Sequence, residues 1–97
     1  MSKTDIRWRI RPSARLHTET FPSFLAIFNA RSGDTHVLDA FPAEIFSLLT
    51  KDGRATLEDL AKHVGQLLDE NPEAWQEAVS DVLEQLAEME IVERLEP

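Results

Sequence analysis

The most regular stretch of the chain alternates between polar and less polar residues, then runs apolar, then alternates again. From Arg15 to Thr20, Leu16, Thr18 and Thr20 are interleaved with Arg15, His17 and Glu19, the two-residue period of a strand with one solvated face. Phe21-Pro22-Ser23 breaks it. Phe24 to Ala30 (FLAIFNA) is apolar at successive positions and bounded by turn residues, which predicts a central strand covered on both faces. Arg31-Ser32-Gly33-Asp34 supplies a glycine able to take positive φ and leads into Thr35 to Leu38, so a hairpin is expected. A loop of two or of three residues fits, and the choice decides which face His36 and Leu38 occupy. Three antiparallel strands over residues 15 to 38 follow, with the last at one edge if strand order follows the chain.

The remainder has helical periods. Asp39 is placed to N-cap a helix carrying Phe41, Ile45, Phe46, Leu48 and Leu49, with Pro42 in the first turn and Lys51-Asp52-Gly53 as the stop. Thr56 is a second N-cap, with Asp59 three residues on as the capping-box acid, ahead of Leu57, Leu60, Ala61, Val64, Leu67 and Leu68. Asn71 and Pro72 open the longest predicted helix, in which Trp75, Ala78, Val79, Val82, Leu83, Leu86 and Met89 recur at steps of three and four. Glu73, Glu77, Asp81, Glu84 and Glu88 occupy the opposite arc and read as a solvated face. Ile91 to Leu95 alternates as a short closing strand, with a frayed helix end as the alternative. Residues 1–14 interleave Trp8 and Ile10 with Lys3, Arg7, Arg9 and Arg11 and hold no period. They are expected to be an arm whose two apolar side chains pack onto the sheet, ahead of a single α+β domain over residues 15–97.

Composition narrows the function classes. At 97 residues with 42% hydrophobic and 29% charged residues, the chain suits one small folded domain. It has no cysteine, which excludes a disulfide framework, a thiolate metal site and a cysteine nucleophile. His17, His36 and His63 share no ligand spacing, and only three glycines are present, so neither a metal site nor a phosphate-cradling loop is supported. No cofactor is expected. No apolar run is long enough for a membrane span or a signal peptide, which predicts a cytoplasmic protein that does not enter a membrane. The net charge of -8 is uneven: residues 1–50 sum to +1 and residues 51–97 to -9. An anionic C-terminal half repels nucleic acid and suits a basic partner.

The edge strand is what stands out. Thr35-His36-Val37-Leu38 has no lysine, proline or bulge to blunt it, and only Asp34 near the turn, so it is open to another strand or to a second copy of the chain. A hydrogen bond from His36 to Asn29 across the hairpin is the structural alternative to a ligand contact by that histidine.

Asn29-Ala30-Arg31-Ser32-Gly33-Asp34-Thr35-His36-Val37-Leu38-Asp39, followed by Leu49 to Leu60 (LTKDGRATLEDL), resembles the PqqD-like peptide chaperones, known from pyrroloquinoline quinone biosynthesis. The closer likeness is to the branch found with an HPr-kinase-related protein, whose N-x-x-S-G-D-T-H-x-L-D segment and N-terminal Trp are matched here, Trp8 included. The resemblance runs from about Trp8 to Leu95; it departs at Met89-Glu90-Ile91, where a glycine is expected before the closing hydrophobic pair. It implies a winged-helix-like domain of three strands followed by three helices. It also implies a non-catalytic module that takes the leader of a ribosomally made precursor peptide as an added strand and presents it to a modifying enzyme. The implied peptide-binding residues are Asp34, Thr35, His36, Val37 and Leu38 on the edge strand, with Trp75, Ala78, Val82 and Gln85 on the last helix and Val79 and Leu83 left to the core. A small protein-binding subunit of the HPr-kinase-related partner and a DNA-binding winged helix are the alternatives, and a homodimer through the open edge is compatible with either.

Overall fold

Two small antiparallel sheets form where the hydrophobic pattern predicts one. The computed structural model describes residues 6–12 and 14–95, so expectations for residues 1–5 of the arm lie outside the described residues. The first sheet joins β2 (Leu16–Thr20), β3 (Phe24–Asn29) and β4 (Asp34–Asp39) in chain order. Leu16 pairs with Asn29 and Thr20 with Leu25, while Phe24 pairs with Asp39 and Asn29 with Asp34. The β3–β4 loop is therefore four residues, Ala30 to Gly33, rather than two or three. Its length has a physical cause. Buried Asn29, only 1% exposed, turns its side chain back to accept from the backbone N–H of Arg31 at 3.0 Å and of Ser32 at 3.4 Å, while Gly33 takes φ 82°.

That register puts Leu25, Ile27, His36 and Leu38 on the core-facing side of the sheet and Ala26, Phe28, Thr35 and Val37 on the other. The outer side is not covered. Phe28 is 41% exposed and stacks on the His17 ring, with centroids 6.3 Å apart, so β3 is buried on one face and the expectation of two covered faces is corrected.

The second sheet has the order β5–β1–β6 and uses the segment expected to be an irregular arm. Strand β1 (Arg7–Ile10) lies between β5 (Ala55–Thr56) and β6 (Val92–Leu95), pairing Arg7 with Thr56 and with Leu95. Trp8 and Ile10 pack against the core, as their apolar character requires, and Arg9 Nε donates to Glu93 Oε2 across the strands at 2.7 Å. Ile91 to Leu95 thus ends in a strand and not a frayed helix.

Three helices close the core between the sheets. Helix α1 (Ala40–Asp52) starts after Asp39, whose side chain makes no capping bond, and stops at Gly53 with φ 82°. Helix α2 (Leu57–Leu68) has the full capping box: Thr56 N–H donates to Asp59 Oδ2 at 3.2 Å and Asp59 N–H to Thr56 Oγ1 at 3.1 Å. The last predicted helix is divided. Pro72–Trp75 is a 3₁₀ turn, and helix α3 runs only over Gln76–Glu88. Asn71 accepts from Glu73 N–H through its side chain and from Ala74 N–H through its carbonyl, each at 3.0 Å, which draws the entry into the tighter winding. Ile45 and Leu49 of α1, Leu60 of α2 and Val79, Leu83 and Leu86 of α3 form the core with Ile27, Ile91 and Val92.

Helix α3 ends in a Schellman motif: Ile91 N–H donates to the Leu86 carbonyl and Glu90 N–H to the Ala87 carbonyl, both at 3.0 Å. Glu90 occupies the left-handed position at φ 61°, the place where glycine was expected. A glutamate there carries a Cβ that crowds the following carbonyl, at a cost of about 1 kcal/mol. Its ion pair with Arg11, at 4.0 Å and largely solvated, offsets little of that. Glu90→Gly is expected to raise unfolding stability by about 1 kcal/mol in urea titration. A decrease would show that the Glu90 side chain holds the turn.

Candidate functional site

Two hydrogen bonds fix the phase of the first sheet. Phe21 N–H donates to the Phe24 carbonyl at 2.9 Å and Ala30 N–H to the Arg15 carbonyl at 2.7 Å. Because antiparallel bonding alternates residue by residue, β3 turns Phe24, Ala26 and Phe28 toward β2, and Leu25, Ile27 and Asn29 toward β4. On β4, Asp34, His36 and Leu38 are therefore bonded to β3. Thr35 and Val37 direct their N–H and C=O groups, and Asp39 its N–H, to the open side, where no described strand pairs with them, while the Asp39 carbonyl sits at the N-cap of α1 and takes the first bond of that helix. The resemblance implies Asp34 to Leu38 as one recognition strand; the ladder divides these residues, and it turns outward the N–H of Asp39, which the sequence pattern assigns only to helix capping.

The side chains divide the same way. Leu38 is buried in the core, His36 is half-buried on the core-facing side, and Val37 is 60% exposed on the outer side. Asn29 does not bond His36. Its side chain is committed to the hairpin loop, and His36 lies opposite Ile27 instead. The Nε2 atom of His36 is buried without a hydrogen-bond partner among the described residues.

Helix α1 leaves β4 directly and packs against both β4 and α3, so its first turn bridges the strand edge and the last helix. Phe41, which the sequence pattern assigns only to the helix core, meets Trp75 with ring centroids 5.4 Å apart at 41°. The Trp75 indole N–H donates to Glu70 Oε2 at 2.8 Å, which orients the ring from the α2–α3 connection. Ala78, Val82 and Gln85 follow on one stripe of α3: Ala78 is half-buried, Gln85 exposed, and Val82, at 6% exposure, belongs to the core cluster. Val79 and Leu83 are core residues only, as expected. The five acids of the last helix and its 3₁₀ entry are all solvent-exposed. None of the described helices is long and apolar enough to cross a membrane.

This architecture is the PqqD-like fold. No family model and no curated protein sequence matches the chain. Two solved structures share its fold. TbiB1, in complex with the TbiA(beta) leader peptide, superposes with a TM-score of 0.73 over 88% of this chain and 94% of its own, at 19% identity. The PqqD portion of Methylobacterium extorquens PqqCD, a functional stand-alone RiPP recognition element, gives 0.69 over 95% and 93% at 24% identity.

Proposed function

We propose that this chain is a non-catalytic recognition element that captures the leader of a ribosomally made precursor peptide as a strand added to β4 and delivers it to a separate modifying enzyme. The observation that carries this reading is the open β4 edge, whose Thr35, Val37 and Asp39 point unpaired backbone groups outward without a proline, lysine or bulge to blunt them. Main-chain bonds along that edge supply affinity whatever the peptide sequence, and side-chain contacts on alternate residues supply selectivity. On the core-facing side the peptide runs beside half-buried His36. Phe41, Trp75, Ala78 and Gln85 form the apolar and amphipathic wall beyond it, with Val82 supporting them from the core.

The fold neighbours support this reading, since one of them is held in complex with a leader peptide. The SGDTH segment favours an HPr-kinase-related protein as the partner in the same pathway. Charge sets the DNA-binding reading aside. No Lys or Arg lies between Pro72 and Ile91, and the exposed carboxylates of that segment repel a phosphate backbone.

Affinity capture from an extract of the native cells, with bound material analysed by mass spectrometry down to peptide size, tests the proposal. Recovery of a short co-encoded peptide is the expected result. Recovery of a large enzyme alone, with no peptide at any salt concentration, would make β4 a protein interface instead.

A further inference from the structure

The sheet has a second open edge, and its sequence is complementary to itself. Strand β2 pairs with β3 and with no other described strand. The same ladder phase that turns Arg15, His17, Glu19 and Phe21 toward β3 turns the N–H and C=O groups of Leu16, Thr18 and Thr20 to the open side. Beneath this edge, between the sheet and α1, lies an open groove of ≈ 500 Å³ whose walls include Leu16, Thr18, Thr20, Leu25 and Phe46. No proline, lysine or bulge protects β2.

We propose that β2 of a second copy of this chain occupies this edge, antiparallel about a two-fold axis at Thr18. The ladder supports it first. An axis at Thr18, perpendicular to the sheet, sets Thr18 opposite Thr18 of the second copy and Leu16 opposite its Thr20, so all three outward-pointing residues of each copy meet outward-pointing residues of the other. The faces match as well. Leu16 and Thr20 both lie on the groove side, so Leu16 of each copy delivers an apolar side chain to the Thr20 end of the other's groove.

Charge supplies an independent reason. On the outer face the same axis sets His17 opposite Glu19 twice, where an imidazole N–H donates to a carboxylate, and it opposes no like charges. Moving the axis to Glu19 would oppose two carboxylates, and moving it to His17 would oppose two imidazoles. The resulting six-stranded sheet has β4 at each far end, so self-association through β2 leaves both β4 edges open. This inference does not depend on the peptide reading.

Sedimentation over a concentration series tests it. The wild-type chain is expected to rise from monomer toward twice the monomer mass, and Thr18→Pro, which removes an outward N–H and no bond to β3, is expected to stay monomeric with unchanged circular dichroism. Val37→Pro should dimerise like the wild type. His17→Glu should weaken self-association about tenfold through two opposed carboxylate pairs, and combining it with Glu19→Lys should restore it. A wild-type chain that stays monomeric throughout would overturn the proposal. So would a dimer broken by Val37→Pro, or one indifferent to His17→Glu.

Discussion

Replacing Val37 with proline is expected to lower affinity for a captured leader peptide at least about thirtyfold, while Val37→Ala changes it less than about threefold. The difference comes from where the amide points. Val37 N–H lies on the open side of β4, so proline takes nothing from the β3–β4 ladder. It removes one donor to the added strand and sets a ring against that strand's backbone, together about 2 kcal/mol or more. An edge position is also where proline is tolerated in a sheet, so the thermal midpoint should stay within a few degrees of wild type. Titration of each variant with the captured peptide by calorimetry checks both parts. Equal losses from proline and alanine, with the fold intact, would mean that the Val37 side chain and not the strand edge carries recognition.

Gly65→Ala is expected to destabilise the domain by about 2 kcal/mol and to lower its thermal midpoint by about 10 °C, although alanine ordinarily stabilises a helix relative to glycine by about 1 kcal/mol. The sign reverses because of the connection that follows the helix. A Cβ at Gly65 would lie 2.8 Å from the Glu70 carbonyl oxygen and 3.1 Å from both Cα and N of Pro72. These are backbone atoms and cannot swing aside. The Glu70 N–H also donates to the Gly65 carbonyl at 2.8 Å, so the two segments are locked in register. Moving the connection would shift Glu70 and with it the Trp75 indole that it orients, so peptide affinity should fall together with stability. A more stable Gly65→Ala variant in guanidinium titration would show that the close approach is relieved at no cost.

What could be read from the residues alone depends on how local the cause is. The period of residues 16–20, the caps at Thr56 and Asn71 and the stop at Gly53 are set by neighbours in sequence, and each is present as expected. Strand β1 was hidden because its partners are distant. Arg7 pairs with Leu95 at the far end of the chain and with Thr56 in a two-residue strand too short to leave a period. The apolar run of β3 suggested two covered faces, but none of the described elements covers the outer one, and Phe28 stays 41% exposed.

The candidate site was legible in part for the same reason. The edge position of Asp34 to Leu38 followed from chain order, yet which amides face outward depends on hairpin phase, and the two-or-three-residue loop expected from Gly33 is four residues because Asn29 folds back into it. Phe41 has the spacing of a core helix residue, and only the approach of Trp75 from the 3₁₀ turn brings it into the site. Glu90 had one sequence signal, the missing glycine, and it does hold the left-handed backbone which that glycine would have served.

Residue-resolved amide hydrogen exchange, with and without the captured peptide, tests strand addition to β4 most directly. The N–H groups of Thr35, Val37 and Asp39 should exchange readily in the free protein and gain protection on binding, while those of His36 and Leu38, already bonded to β3, change little. Protection that appears on Leu16, Thr18 and Thr20 instead, or nowhere along β4, would contradict the account.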